Sequence, residues 1–561
     1  MHASYQPPSF EGYVPSPDSA ATPAPVVIVG AGPVGLCCAI DLALHGVKAI
    51  VIDDNNTVSA GSRAICYAKR TLEILDRLGC GDAVVDRGVG WRVGKVFVGD
   101  RLAYQFDLLP EDGHRRPAFV NLQQYHLEEA LLARLSALGG EVRWKNRCAG
   151  VMQDDDGVTL EVESPGGTYR LRANRVIAAD GARSTVREAM GLAFPGQVFN
   201  DRFLIADVRM TGDFPTERWF WFDPPFHRHQ SVLLHRQADD VWRIDFQLGP
   251  DADAEDEKRP ERVLPRLRAM LGSERPFTLE WVSVYTFQCR RLERFVHDRV
   301  IFVGDAAHQV SPFGARGCNG GIQDADNLCW KLARVIKAES PVSLLASYDH
   351  ERGQAADENI LNSTRSTDFI TPKSHTSRVF RDAVLSLAAR HEFAQRLVNS
   401  GRLSLPARYR DSALDTQDRD SWDSPLFPGT PLLDAPVTIG GAARWLSAEV
   451  GHGFDLLVFG DRIDMLAYRA INGLRCVRVI EPGAVGDGAE GERVIVDTHG
   501  LLVRRYGAEP GSAYLIRPDQ HVAARWKRGT PADVAVALAR ACGASSENSI
   551  AADHHAQSRA A

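Results

Sequence analysis

The apolar run Val26-Val27-Ile28-Val29 leads into Gly30-Ala31-Gly32-Pro33-Val34-Gly35 and then an alanine- and leucine-bearing stretch, and no other segment constrains the fold so tightly. A strand, glycines spaced G-x-G-x-x-G and a helix together make a seat for a dinucleotide pyrophosphate. Gly30 permits the tight turn, Gly32 lets the backbone approach the phosphates, and Gly35 lets the helix lie close on the strand. Unpaired N–H groups at the helix start, with Pro33 in its first turn, add partial positive charge. The helix is predicted to end near His45-Gly46, and a second strand covers Ala49–Ile52. Asp53 closes that strand at about the 20-residue distance expected of an acid that binds ribose. The same glycine spacing recurs at Gly486-Asp487-Gly488-Ala489-Glu490-Gly491. There no apolar strand precedes it and the two acids would repel a phosphate, so that copy is predicted to be a solvated loop.

A chain of 561 residues allows about three folding units. Its 44% hydrophobic and 24% charged content is that of an ordinary globular protein. A formal net charge of −7 offers no general basic surface, so neither nucleic acid nor an anionic membrane is an expected partner. The ten cysteines contain no C-x-x-C pair and no zinc-like spacing, and are expected to be reduced and mostly buried. His227 and His229 lack further ligands at suitable spacing, so no metal site is expected. The first 25 residues lack the basic start and apolar core of a secretory signal, and no segment approaches the ~20 apolar residues of a membrane span. A cytoplasmic location is the expectation.

Residues 1–24, rich in Pro, Ser and Ala, are predicted to form a disordered arm. From residue 25 to 200 the pattern is α/β, with helices around Lys69–Leu78 and Tyr125–Leu138 and strands near Val142–Trp144, Val158–Val162 and Arg175–Ala179. Residues 201–285 alternate apolar and polar, as in Ser231–His235, Val241–Leu248 and Leu279–Tyr285, which predicts an antiparallel sheet over a closed chamber. The α/β character returns over residues 286–404, with a strand at Val300–Val303 and a helix around Gly321–Ala338. A polar linker is expected at 405–428, a small α/β domain at 429–545 and a disordered tail at 546–561. In that last domain the expected strands are Phe454–Phe459, Cys476–Ile480 and Ala513–Ile516, with helices near Ala442–Glu449 and Ala532–Arg540.

Three further motifs follow the first. Asp180-Gly181 ends one strand, Gly304-Asp305 ends another, and Pro312-Phe313-Gly314-Ala315-Arg316-Gly317-Cys318-Asn319 runs into the next helix. With the glycine cluster, these four ordered motifs resemble the class A flavoprotein monooxygenases, the aromatic hydroxylases that use FAD and NAD(P)H, over roughly residues 26–351. The resemblance implies an FAD-binding, Rossmann-like α/β domain interleaved with an antiparallel-sheet substrate domain. It implies that Asp180 lies where FAD and nicotinamide meet, and that Gly304 and Asp305 hold the ribityl and pyrophosphate part of FAD. Arg63 matches a family arginine near the pyrophosphate, Gln124 a family glutamine on the flavin side, and Pro312 a family proline near the reactive flavin edge. Gly317 is counted among the cofactor-binding residues, and backbone donors at Cys318 and Asn319, with a helix start and a nearby cation, would favour anionic reduced flavin. Arg316 stands where a related loop carries a basic residue, and is read either as a cation near the flavin or as a charge with no catalytic role. The implied cycle is reduction of FAD by NADPH or NADH, formation of a C4a-hydroperoxyflavin with O2, and oxygen transfer to an electron-rich ring.

Tyr285 lies where phenol and phenylpropionate hydroxylases carry a tyrosine, and is either a substrate hydrogen-bonder or a packed core residue. His235 and Gln247 either face the chamber or are satisfied polar side chains; His235, Tyr285 and Pro312 are the catalytic candidates. Trp219, Phe220 and Trp221 cannot all face one side of a strand. The final domain resembles the thioredoxin-like extension of the phenol and 3-(3-hydroxyphenyl)propionate hydroxylase branch, without the redox cysteine pair. A structural role, as in a homodimer, is open to it. The expected partners are a small aromatic substrate, NAD(P)H and O2. Three functions remain in play: a phenol hydroxylase, an epoxidase or hydroxylase of a polycyclic intermediate, and a flavin-binding protein without catalysis.

Overall fold

The computed structural model describes residues 5–16, 23–61, 63–212, 214–249, 251–398, 405–483 and 492–544. The second glycine cluster at 486–491 and the tail at 546–561 lie outside them. The chain divides into two units. The first comprises residues 1–110, 116–325 and 356–405; the second comprises 111–115, 326–355 and 406–561.

In the first unit the strand Ala24–Val29 pairs in parallel with Ala49–Ile52 on one side and with Gly167–Ala178 on the other. Glu141–Arg143 and Val300–Phe302 extend the sheet, also in parallel. Val26, Val27 and Ile28 are fully buried, as a central parallel strand covered on both faces requires. The helix Pro33–Leu44 follows the first strand, as its glycines and periodicity predict.

An antiparallel sheet forms the other layer of this unit. Its strands run in the order His308–Gln309, Thr278–Arg291, Gly196–Arg209, Val241–Gln247, Ser231–Arg236, Arg218–Phe222, Val93–Val98, Arg101–Asp107. The last two strands come from within residues 25–200, so the sheet is not confined to 201–285 as the alternation alone suggested. Val93–Val98 joins by parallel pairing to Arg218–Phe222. One sheet face, with Leu204, Ala206, Ile244 and Phe246, packs under Val263 and Leu267 of the helix Pro260–Leu271. Residues 5–16, expected to be loose, are fastened: Ser9 bridges Thr57, and Phe10 stacks on Trp144 with ring centroids 4.6 Å apart. Tyr5, Phe10 and Tyr13, packed on Tyr125, Trp144 and Arg143, supply the apolar area that a Pro- and Ser-rich composition hid.

The second unit has its own sheet, ordered Ala442–Trp445, Pro436–Ile439, Arg493–Val496, Leu474–Ile480, Phe454–Phe459, Ala513–Ile516, Val522–Trp526. Phe454–Phe459 lies parallel to Leu474–Ile480 and antiparallel to Ala513–Ile516. The helix expected near Ala442–Glu449 is instead the strand Ala442–Trp445 followed by one turn, Leu446–Glu449, because Gly440 and Gly441, both at positive φ, close a hairpin with Pro436–Ile439. Residues 405–428 do not form a free linker. Leu414 and Leu426 are buried in the two apolar clusters of this unit, and Thr416 N donates to Ala523 O at 2.8 Å.

A buried ionic cluster ties the segment 326–355 of the second unit to the segment 406–561. Arg517 grips Glu351 through Nη1 and Nη2 at 2.6 and 2.9 Å and also binds Asp519. Lys331 Nζ donates to Glu351 at 2.7 Å, and Asn327 and Ser412 add donors to the same carboxylate. All four charged side chains are fully buried. Arg517 and Lys331 hold the Glu351 carboxyl well below the usual range, outweighing its burial.

Candidate active site

Because the strands Ala24–Val29, Ala49–Ile52, Gly167–Ala178 and Val300–Phe302 are parallel and in register, the residues after them arrive at one edge of the sheet. Those residues are Gly30, Asp53, Asp180 and Gly304, and this is the edge at which such sheets bind ligands. Gly30 turns with φ +108°, and a Cβ there would sit 2.5 Å from Ala179 O. A Cβ on Gly35 would overlap Gly30 O, so helix and turn meet backbone to backbone. Gly32 differs: a Cβ there would touch nothing within 4 Å. Space is thus left in front of a 12-residue helix whose start has Pro33 in its first turn and no side-chain cap. Its free N–H groups suit a pyrophosphate. Asp53 Oδ2 accepts from Ala31 N at 2.6 Å and its Oδ1 from Asn55 N at 2.8 Å, which fixes the carboxylate beside the turn.

Asp180 Oδ2 accepts from Val186 N at 3.0 Å, while Oδ1 is buried with no partner among the described residues. An orphaned acceptor of this kind calls for a donor from a bound group. Asp305 opens onto the cleft, and the surrounding protein raises its carboxyl above the usual range. Gly304, at φ +57°, is braced by its N–H to Asp324 Oδ2 at 2.9 Å, and His308 Nε2 lies 2.7 Å from the same oxygen. The helix Gly317–Ile336 starts beside this motif, where a Cβ on Gly317 would lie 3.9 Å from Asp305 Oδ1. An open seat, an uncapped helix and an acid with one unsatisfied oxygen fit a dinucleotide with a polar chain, as in FAD.

Several predicted side chains turn out to hold the framework. Asn319 Oδ1 accepts from Ala68 N and Thr71 Oγ1, at 2.9 and 2.6 Å, and its Nδ2 donates to Cys66 O and Ala315 O, at 2.8 and 2.5 Å. Only its backbone remains for a ligand. Gln124 likewise accepts from Ala64 N and donates to Ser59 and Glu128, clamping the loop that carries Arg63. Arg63 and Pro312 are exposed. Arg316 is buried and donates to Phe313 O at 2.9 Å, so it shapes the loop through Gly314 and Ala315, both at positive φ. Burial beside Asp305 keeps the Cys318 thiol protonated.

The second face of the antiparallel sheet is unlike the apolar face under Pro260–Leu271. Trp219 and Trp221 join that apolar face, so alternation sends Arg218, Phe220 and Phe222 to the other. There the chain lines a half-open cavity with walls of Phe106, Phe220, Phe222 and Phe313, and with Arg218 and Gly314 at its lining. Phe313 packs edge-on to Phe203 with centroids 5.0 Å apart, beside Tyr285. Tyr285 is largely buried, which raises its phenol, and it feels Arg63 and Asp305 electrostatically. His235 is on this face but not in the cavity lining. Its Nδ1 lies 4.0 Å from Cys66 Sγ, and burial with Arg218 and Arg243 nearby holds it neutral. Gln247 Oε1 accepts from Ser231 N at 3.0 Å.

Sequence reasoning missed the charged members of this face. Arg243 pairs with Asp207 through two bonds of 2.8 Å, Arg218 enters the cavity, and burial pushes Asp245 up to about 7. The strand alternation that carries Phe220 inward carries Arg218 with it, and that was the available signal.

Residues 23–363 match the family model described as an FAD binding domain. The chain is 33% identical over 346 residues to a para-nitrophenol 4-monooxygenase from Pseudomonas sp. (strain WBC-3), covering 58% of this chain and 82% of that protein. It is 27% identical to a 3-(3-hydroxy-phenyl)propionate/3-hydroxycinnamic acid hydroxylase from Mycolicibacterium smegmatis, over 89% of this chain and 90% of that one. Among solved structures, an anhydrotetracycline hydroxylase from Streptomyces rimosus superposes with a TM-score of 0.67 at 26% identity, covering 92% of this chain and 99% of that one. No helix among the described residues is long and apolar enough to cross a membrane.

Proposed function

Because the chain belongs to the FAD-binding domain family of aromatic monooxygenases, we propose that it uses NAD(P)H and O2 to insert one oxygen atom into a phenolic ring. The observation that carries the reading is that one loop serves both partners. Phe313 and Gly314 wall the aromatic cavity, and three residues later Gly317 begins the helix beside Asp305. FAD, when bound, supplies electron transfer from NAD(P)H and activation of O2.

The protein's own residues hold, orient and shield. Gly30, Gly32, Pro33 and Gly35 seat the pyrophosphate, Asp53 faces the ribose, and Arg63 adds a cation at the open side of the cleft. Asp180, Gly304 and Asp305 face the polar chain of the cofactor. Backbone groups at Gly317, Cys318 and Asn319, with Pro312 before them, face the ring system. Gln124 and Asn319 act by holding the loops. Tyr285, neutral because buried, donates a hydrogen bond at the cofactor side of the chamber. The phenylalanine walls exclude water from the reacting centre. His235 acts as a neutral neighbour of Arg218 without touching substrate.

The thioredoxin-like reading of the second unit is supported by its strand order, in which Phe454–Phe459 has a parallel neighbour on one side and an antiparallel pair on the other. Its role is structural, with a homodimer as the assembly that sizing in solution checks. A hydroxylase or epoxidase of a polycyclic intermediate is the second reading, favoured by the 92% coverage of this chain by the anhydrotetracycline hydroxylase structure.

The test is a screen of substituted phenols against FAD-loaded protein, following NAD(P)H oxidation and product mass. A phenol that speeds oxidation and gains one oxygen atom supports the reading. FAD-loaded protein that oxidises NAD(P)H no faster with any phenol, or releases only hydrogen peroxide, overturns it.

A further inference from the structure

The cavity carries a charge that the aromatic walls do not explain. Its cations are Lys95 and Arg218. Lys95 is already neutralised by Glu217 at 2.8 Å. Arg218 has no hydrogen-bond or ion-pair partner among the described residues, although the protein packs closely around it and burial depresses its guanidinium. The acid that Arg218 feels is Asp245, and Asp207 acts in turn on Asp245. Asp207 is taken by Arg243. Asp245 is felt by Arg218 only at a distance, and its Oδ1 is buried without a partner. A fixed, unpaired guanidinium facing an apolar chamber is poised for an anion from outside.

Resting on the hydroxylase reading above, we infer that the substrate is an aromatic carboxylic acid whose carboxylate is gripped by Arg218 while its ring lies among Phe106, Phe220, Phe222 and Phe313. A carboxylate matches the planar fork of a guanidinium with two parallel bonds. Position separates this acid from the reacting phenol. Phe313 packs against Phe203 and Phe220, and Phe203 lies level with Phe222 through the pairs Phe203–Gln247 and Phe222–Ser231. Arg218 precedes Phe220 by two residues and Phe222 by four, which is about 7–13 Å along an extended strand. The carboxylate therefore sits on a ring substituent remote from the edge that meets Phe313 and Gly314. Asp245 supports the arrangement: near-neutral titration lets it stay protonated beside an incoming carboxylate.

The test uses full-length, FAD-loaded protein without NAD(P)H, so that binding is read apart from turnover. Dissociation constants are measured by flavin absorbance change for 3-(3-hydroxyphenyl)propionate, 3-hydroxybenzoate and the primary amide of each. Each acid should bind at least about tenfold more tightly than its amide. Arg218→Gln should weaken acid binding by about 10–100-fold and amide binding by less than about threefold. Arg218→Lys should recover part of the loss. The acid–amide comparison in the unaltered protein needs no variant to fold. Equal affinities for acid and amide, or no binding by any of the four probes, overturn the inference, and the former assigns Asp245 as the counter-ion of Arg218. Failure of the hydroxylase reading looks different: acids still bind more tightly than amides, yet no phenol of either charge speeds NAD(P)H oxidation.

Discussion

Gly32 and Asp245 are single residues whose surroundings fix distinct outcomes. A Cβ at Gly32 meets open space, so Gly32→Val should fold with a melting temperature close to the parent while FAD affinity, read by titration calorimetry, falls at least about tenfold. A comparable loss of stability would mean that the glycine serves the fold and not the phosphates. Asp245 is raised from 3.8 to about 7 chiefly by burial. Its folded pKa lies above its unfolded one, so its contribution to stability is fully present below about pH 4 and is lost as pH rises through about 7. Asp245→Asn should therefore melt about 2 °C higher than the parent at pH 8, with the gap closing by pH 4. A gap independent of pH would show that Asp245 is not the titrating group. Both residues illustrate what sequence can show. The role proposed for Gly32 rests on spacing, because a strand-glycine-helix succession has few alternative uses. Asp245 and Arg218 were hidden, since a charge within a strand reads as solvent-facing until a second layer covers it.

Asn319 acts at the scale of whole elements, stapling the strand Cys66–Ala68 and the helix Lys69–Leu78 to the start of Gly317–Ile336. Asn319→Ala leaves two donors and two acceptors around a buried site unpaired, and should cost about 3 kcal/mol or more in urea unfolding. The isosteric Asn319→Asp should lose at least as much, because it keeps the acceptor contacts at Oδ1 but turns a carboxylate oxygen toward the carbonyl oxygens of Cys66 and Ala315 in a buried site. An Asp variant as stable as the parent would show that the Nδ2 bonds do not matter there. Long, strongly patterned elements were legible beforehand: Lys69–Leu78, Phe454–Phe459 and Ala513–Ile516 form as their periodicity predicts. Ala442–Trp445 was misread because an alanine-bearing segment favours helix locally, while pairing with Pro436–Ile439 across a Gly-Gly turn decides otherwise. The parallel entry of Val93–Val98 into the antiparallel sheet was out of reach, since no local pattern records a partner more than a hundred residues away.

For the whole molecule, the second unit draws on residues 326–355, which lie inside the stretch 23–363 that matches the family model. A truncation after Leu405 therefore removes Arg517 and leaves Lys331, Glu351, Trp330 and Leu344 without the groups that cover them. Breaking a buried ion pair from one side typically costs about 3–5 kcal/mol. The truncated chain should be recovered mainly as aggregate, judged by sedimentation and light scattering. A soluble, FAD-loaded, fully active monomer would refute the structural role assigned to the tail.

The Glu351–Arg517 grip, spanning 166 positions, also sets a clock on biosynthesis. At about 5–20 residues per second, a ribosome takes roughly 8–33 s to deliver the guanidinium after the carboxylate has emerged. Throughout that interval the nascent segment 326–355 must wait half-finished, the acid of Glu351 and the amine of Lys331 still hydrated. The first unit thus has time to organise its nucleotide edge before the last segment locks the remainder in place.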